Sequence, residues 1–355
     1  PRSTSSAASD VYKRQILLDA RHPYRASAII GGETSAIVNW NDIAYPQFYS
    51  IYKQLLSNFW IPDEISMSKD MQQWNQLSER EQDAFKRIIG LLSILDSVQT
   101  RYILESAMFT SDSSVHAILA IIAQQEVVHN QSYSYVLSSL VPLAEQNRIF
   151  DIAKDDDMVM KRNAFILDLY EDFQNNRTPE NFAKSLVASI VLEGINFYSG
   201  FAFFYNLARH QKMVGTSTMI SYIQRDELQH SYFISQLLRA VLSEHPEIDA
   251  DGSFTQFVYD TFKRAVDLEI EWSEYVLRDL DGLDVSEMRD YVKYLANKRL
   301  RVIGLSDLYE GHDEDVMPWI RAYSDDSMNA TKSDFFEQKS RSYAKVTDAN
   351  GFDDL

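Results

Sequence analysis

The chain has 355 residues and no cysteine. Disulfides, thiolate metal sites and a cysteine nucleophile are therefore excluded within it. Glycine and proline are scarce, at 11 and 8. Both residues interrupt helices, so their scarcity points to a helix-rich protein. Positive charge is also short: 34 Lys and Arg stand against 52 Asp and Glu, a formal net charge of −18. That balance argues against nucleic acid or an anionic membrane as the main partner. No Lys/Arg run and no Gly-rich phosphate cradle offsets it. A charged segment leading into an apolar one does not open the sequence, so secretion is not expected, and the lack of cysteine suits a reducing cytoplasm. Hydrophobic residues make up 45% of the chain, enough for the core of one large domain or two. The most apolar span, Leu186 to Leu207, approaches a membrane span in length, but Glu193, Asn196 and Asn206 interrupt it. A central carboxylate fits a buried bundle helix better.

The pattern divides the chain into four parts. Residues 1–15 are Ser-rich without periodicity and read as a disordered or foreign segment; 16–44 read as an extended arm. Residues 45–322 carry helical periodicity, and 323–355 read as a flexible acidic tail ending Gly351-Phe352-Asp353-Asp354-Leu355. Within the helical part, helices are predicted over Glu79–Tyr102, Ser111–Leu140, Pro179–Ala208, Thr216–Leu242, Phe254–Leu280 and Val285–Ile303. Pro179 is placed to open its helix, and His245-Pro246 to close the one before it.

Glu-x-x-His occurs twice, as Glu126-Val127-Val128-His129 and Glu227-Leu228-Gln229-His230. On a helix, positions i and i+3 share a face, so each Glu and His can point at one centre. A carboxylate in an apolar stretch precedes each pair: Asp96 lies 30 residues before Glu126, and Glu193 lies 34 before Glu227. Either interval suits one helix, a turn and an antiparallel return to the same level. Each carboxylate taken alone could instead sit at a helix rim or pair with an arginine, since burial without a partner is expensive. Taken together, the six form a duplicated half-site for two metal ions. Four carboxylates and two neutral imidazoles offset two divalent cations, leaving a neutral cluster that can be buried. The expected fold is all-α, a ferritin-like helical bundle with a di-metal carboxylate site in its core.

Tyr133 follows His129 by one helical turn, near the metals but outside their ligand set, as a core residue or a redox partner. The segment Glu126 to Tyr133 resembles the one that carries the tyrosyl radical in class I ribonucleotide reductase small subunits of the R2 type. Leu95-Asp96-Ser97-Val98-Gln99, Leu192-Glu193-Gly194-Ile195-Asn196-Phe197-Tyr198 and Arg225-Asp226-Glu227-Leu228-Gln229-His230 resemble that family's other ligand segments. Phe59-Trp60-Ile61-Pro62-Asp63-Glu64-Ile65 resembles its N-terminal Trp motif. The match runs in order from about Tyr45 to Trp319.

The resemblance implies roles. One metal would be held by Asp96, Glu126 and His129, the other by Glu193, Glu227 and His230, with Glu126 and Glu227 bridging. Iron is the first expectation, with manganese or a mixed pair as alternatives. Tyr133 would be oxidised to a radical after the reduced metals meet O2, in an apolar pocket formed by Phe197, Phe201 and Ile223. Trp60 and Asp226 would start a transfer route, with Asp226 accepting a hydrogen bond from His129. Trp60 could otherwise be a buried anchor. Tyr343 resembles the tail tyrosine of that route. Ribose reduction in this family needs a dithiol, which this chain cannot supply. A cysteine-bearing large subunit is therefore implied, docked by the C-terminal tail, with the chain itself a homodimer. Only Asn175 to Thr178 separates the helices where some members insert a β-hairpin, which leaves the subclass open. The competing readings are a di-iron oxidase or oxygenase with its own organic substrate, and a ferritin-like iron-binding protein. Neither requires Trp60, Asp226 and Tyr133 together.

Overall fold

The computed structural model describes residues 17–323. Tyr343, residues 1–15 and the tail expected to dock lie outside them. Among the described residues there are eleven α-helices and no named strand, so the all-α expectation holds. They are α1 (Gln47–Ser57), α2 (Ser68–Gln73), α3 (Glu79–Phe109), α4 (Ser113–Leu140), α5 (Leu143–Asp155), α6 (Asp157–Asn175), α7 (Pro179–Val191), α8 (Tyr198–Arg209), α9 (Val214–Glu244), α10 (Ser253–Leu277) and α11 (Val285–Ile303).

Local chemistry sets the helix ends. Ser78 and Glu81 form a reciprocal capping box that starts α3. Asp112 caps α4 through the Ser114 and Val115 amides, so this helix opens at Ser113, not Ser111. Thr178 caps α7, with Pro179 at its first position as expected. The start of α9 has no cap of its own. Asp70 of α2 supplies one instead, accepting from the Gly215 amide at 3.0 Å and the Thr216 amide at 2.7 Å. Gly215 is required there, because a Cβ would lie 2.8 Å from the Ser66 carbonyl oxygen. The α11 bounds are those expected, ending on Gly304 with φ of 91°.

Two antiparallel pairs make the bundle core: α3 packs along α4, and α7 with α8 packs along α9. Helix α6 packs on α7; α10 packs against α6, α7 and α11, and α11 in turn against α9. The arm is tied across helix ends, where Glu244 of α9 accepts from the Ile29 amide at 2.8 Å and the Tyr45 hydroxyl at 2.6 Å. The apolar run Pro179–Arg209 is long enough to cross a membrane, but its apolar window is entirely buried inside the protein.

One expectation is corrected here. Pro179–Ala208 is not one α-helix. Leu192–Asn196 forms a π-helical turn between α7 and α8, with Glu193 inside it. Such single-turn π-bulges often mark functional sites.

Candidate metal centre

Four elements bring the six expected ligands to one place. Helix α3 supplies Asp96, α4 supplies Glu126 and His129, the π-turn supplies Glu193, and α9 supplies Glu227 and His230. All six are fully buried. Their ligand atoms form two groups, each within 4.8 Å: Asp96, Glu126, His129 and Glu227 in one, and Glu126, Glu193, Glu227 and His230 in the other. Glu126 and Glu227 belong to both. Glu126 Oε2 lies 3.5 Å from His129 Nδ1, and its Oε1 lies 3.0 Å from His230 Nδ1. Glu227 repeats the division, with Oε1 3.0 Å from His129 and Oε2 3.6 Å from His230. Each carboxylate thus turns one oxygen to each half, the disposition of a bridge.

These groups fit a pair of metal ions. Both oxygens of Asp96, Glu126 and Glu227, Glu193 Oε2, and the Nδ1 atoms of His129 and His230 are buried without a hydrogen bond. Short carboxylate–imidazole distances without hydrogen-bond geometry describe atoms aimed at points between them. Unsatisfied buried polar atoms in such number are costly unless a cation takes their lone pairs. Carboxylate and imidazole donors suit iron and manganese alike.

The electrostatics agree. Burial, followed by the facing carboxylates, holds Asp96 well above the usual carboxylate range. Burial raises Glu193 as well, against the pull of His230. For Glu126 the burial penalty is outweighed by His129 and His230, which hold it down at about 2. Burial disfavours both imidazolium ions, but carboxylates outweigh it. Asp226, Glu126 and Glu227 raise His129, and Glu126 and Glu227 raise His230.

Around the ligands lies a second set of contacts. Asp226 Oδ2 lies 3.4 Å from His129 Nε2 and accepts from Trp60 Nε1 at 2.8 Å. The Trp60 ring stacks on His129 at 6.4 Å between centroids. The expected trio of Trp60, Asp226 and His129 is therefore brought together. Arg225 donates to Asp226 Oδ1 at 3.2 Å and to the Asn58 carbonyl at 2.7 Å, fixing the carboxylate to the Trp60 loop. Tyr133 is buried, and its hydroxyl has no hydrogen bond. Burial, then the Asp96 and Glu227 charges, push its pKa well above the ordinary value. Phe197, Phe201 and Ile223 are buried in the same apolar core as Tyr133.

Sequence reasoning missed several contacts to the ligands. Gln125 Oε1 meets His230 Nε2 at 2.9 Å, where His129 has a carboxylate. Gln99 donates to Glu193 Oε1, which also accepts from Ser189 at 3.2 Å. Tyr170 in turn donates to Gln99 at 2.7 Å. Gln125 stands next to Glu126 in the sequence and Gln99 one helical turn after Asp96, which was the one available signal.

Comparison with known proteins places this arrangement. The model of the family described as ribonucleotide reductase, small chain, matches residues 37–318. A ribonucleoside-diphosphate reductase subunit beta from Halalkalibacterium halodurans is 50% identical, over 97% of this chain and 99% of its own. Another from Treponema pallidum is 39% identical, over 89% and 90%. Among solved structures, a ribonucleotide reductase R2 subunit from Clostridium botulinum superposes with a TM-score of 0.84 at 34% identity, covering 88% of this chain and 98% of that one. A dimanganese(II)-NrdF from Streptococcus sanguinis superposes at 0.72 with 26% identity, over 81% and 98%. The R2-type likeness confirms the ferritin-like bundle, and the chain belongs to the ribonucleotide reductase small-chain family.

Proposed function

We propose that this small subunit generates a one-electron oxidising equivalent at a di-metal centre, stores it on Tyr133 and passes it through Asp226 and Trp60 to a cysteine-bearing large subunit. Asp96, Glu126 and His129 would hold one ion; Glu193, Glu227 and His230 would hold the other. Glu126 and Glu227 would bridge. A redox-active pair bound there supplies oxidising power from O2. Iron is the expected metal; a manganese or mixed pair would use the same ligands.

The chain's own residues do the rest. The raised pKa of Tyr133 keeps the phenol protonated, so losing an electron must be coupled to losing its proton. Among the carboxylates Asp96 acts on it most strongly, and it would be the one to receive that proton. Phe197, Phe201 and Ile223 would exclude water and reductants from the phenoxyl radical. Asp226 fixes His129 with Nδ1 toward the centre and Nε2 outward. Its second role is to join His129 to the Trp60 indole, whose neighbour Phe59 is exposed.

That hydrogen-bonded chain from Trp60 to His129 is the observation carrying the reading. An oxidase with its own organic substrate would need a cavity opening on the ligands. The cleft of about 400 Å³ beside Arg225 has none of the six in its lining. The tail beyond residue 323 would dock the large subunit, Tyr343 would continue the route, and exposed Leu104, Met108 and Val127 on α3 and α4 offer a face for a homodimer. The test is reconstitution with a large subunit and a ribonucleoside diphosphate. Trp60→Phe should retain the radical and lose deoxyribonucleotide formation. Turnover at the unsubstituted rate would refute the route.

A further inference from the structure

Glu193 differs from the other five ligands in standing on a π-turn, and two buried arginines reach that turn from outside its helix. Arg299 of α11 donates from Nε to the Gly194 carbonyl at 3.1 Å and from Nη2 to the Tyr198 hydroxyl at 2.8 Å. Arg162 of α6 donates from Nη2 to the Asn196 carbonyl. Arg299 is only 5% exposed and Arg162 fully buried. The two guanidiniums thus hold backbone oxygens on either side of Ile195, at the residue after Glu193 and at the last residue of the turn.

We propose that Arg299 and Arg162 form a clamp that keeps Leu192–Asn196 in its π-helical form and thereby positions Glu193 for the second metal ion. The inference rests on the di-metal reading above. The π-helix is rare and occurs mostly as a single turn inside an α-helix, so the α-helical alternative competes. Donors fixed on neighbouring helices favour whichever form presents its carbonyls to them. A charged donor makes a stronger hydrogen bond than a neutral one.

Each arginine is itself fixed. Arg162 is paired with buried Glu269 of α10 through Nε at 2.8 Å, and Glu269 also accepts from Ser199, just past the turn. Asn163 takes a further Arg162 proton at 3.0 Å. Arg299 has no carboxylate partner among the described residues; its charge lies against the Tyr198 ring, 5.4 Å from the centroid. Its stem crosses Gly194 so closely that a Cβ there would lie 2.9 Å from Nε and 3.0 Å from Cδ. Glycine beside the ligand is therefore what lets the guanidinium reach the carbonyl. On the cluster side Gln99 and Ser189 hold the Glu193 carboxylate. The turn that carries this ligand is thus held through its backbone, and the ligand's carboxylate through separate partners.

The test uses the full chain, freed of metal, titrated with Mn(II) under anaerobic conditions and followed by calorimetry and Mn(II) electron paramagnetic resonance. Amide hydrogen exchange across residues 192–197 is measured in parallel. The unsubstituted protein should bind two ions; failure to do so refutes the di-metal reading itself. Arg299→Met should leave the first ion bound and weaken the second by about tenfold or more, the scale of losing an outer contact to a metal ligand. Exchange of the 192–197 amides should rise, and Arg299→Lys should recover part of the affinity. Gly194→Ala, which displaces Arg299 without removing it, should reproduce the loss. A clamp is refuted if folded Arg299→Met and Gly194→Ala proteins bind both ions as the unsubstituted chain does, or lose both equally.

Discussion

Loading the centre with divalent metal should release protons, and the electrostatics say which groups release them. Asp96 and Glu193 are raised, mainly by burial; His129 and His230 are raised because carboxylates outweigh burial. A metal ion binds only the deprotonated forms of these side chains. Two ions therefore displace up to four protons, two from carboxyl groups and two from imidazolium ions. Each proton released makes binding about tenfold tighter per pH unit, about 1.4 kcal/mol. Where all four are still held, the overall constant for the pair should climb by up to about four decades per pH unit.

The metal-free protein should behave in the opposite sense. All four groups bind protons more tightly folded than unfolded, so the unfolding free energy falls as pH rises. This contribution is fully present below the unfolded values, about 4 for the carboxyls and about 6.5 for the imidazoles, and is lost as pH climbs through the raised folded ones. Glu126, held at about 2, acts oppositely, but only in the acid range below its ordinary value of 4.5. Calorimetric Mn(II) titrations in buffers of different ionisation enthalpy count the protons. Thermal unfolding at pH 6 and 8, with and without Mn(II), checks the signs. Heats independent of buffer, with metal-free stability unchanged or higher at pH 8, would refute the account of these six residues.

Two further outcomes follow. Phe201→Ala empties part of a fully buried site beside Phe197 and Tyr198, at a cost of about 3–5 kcal/mol, and should shorten the life of the radical; a decay rate equal to that of the unsubstituted protein in time-resolved spectra would contradict the pocket. Deleting the residues after Ser340 should abolish nucleotide reduction with the large subunit and spare radical formation, and full activity in that truncation would remove the tail from the account.

The clustering of the six candidate ligands was legible in the sequence because Glu-x-x-His is a local signal: i and i+3 share a helix face wherever the helix lies. Asp226 and Trp60 were legible only through resemblance, since their partners stand 97 and 166 residues away. The π-turn was not legible. The helical apolar pattern resumes beyond Glu193 and Asn196, and the contacts favouring a π-turn come from Arg162 and Arg299, 34 and 105 residues from the carbonyls they hold. Gln125 and Gln99 were hidden for the same reason, since each contacts a ligand on a different element, 105 and 94 residues distant. The cap on α9 likewise comes from Asp70, 146 residues before Thr216. Local chemistry was readable from the chain, whereas long-range hydrogen bonds were not.

The central claim is that the metals exist to oxidise one tyrosine. Electron paramagnetic resonance tests it on protein loaded with Fe(II), or with Mn(II), and then oxidised, prepared beside Tyr133→Phe with the same metal content. The account predicts a tyrosyl signal in the unsubstituted protein and none in the variant. An undiminished tyrosyl signal from Tyr133→Phe would contradict it.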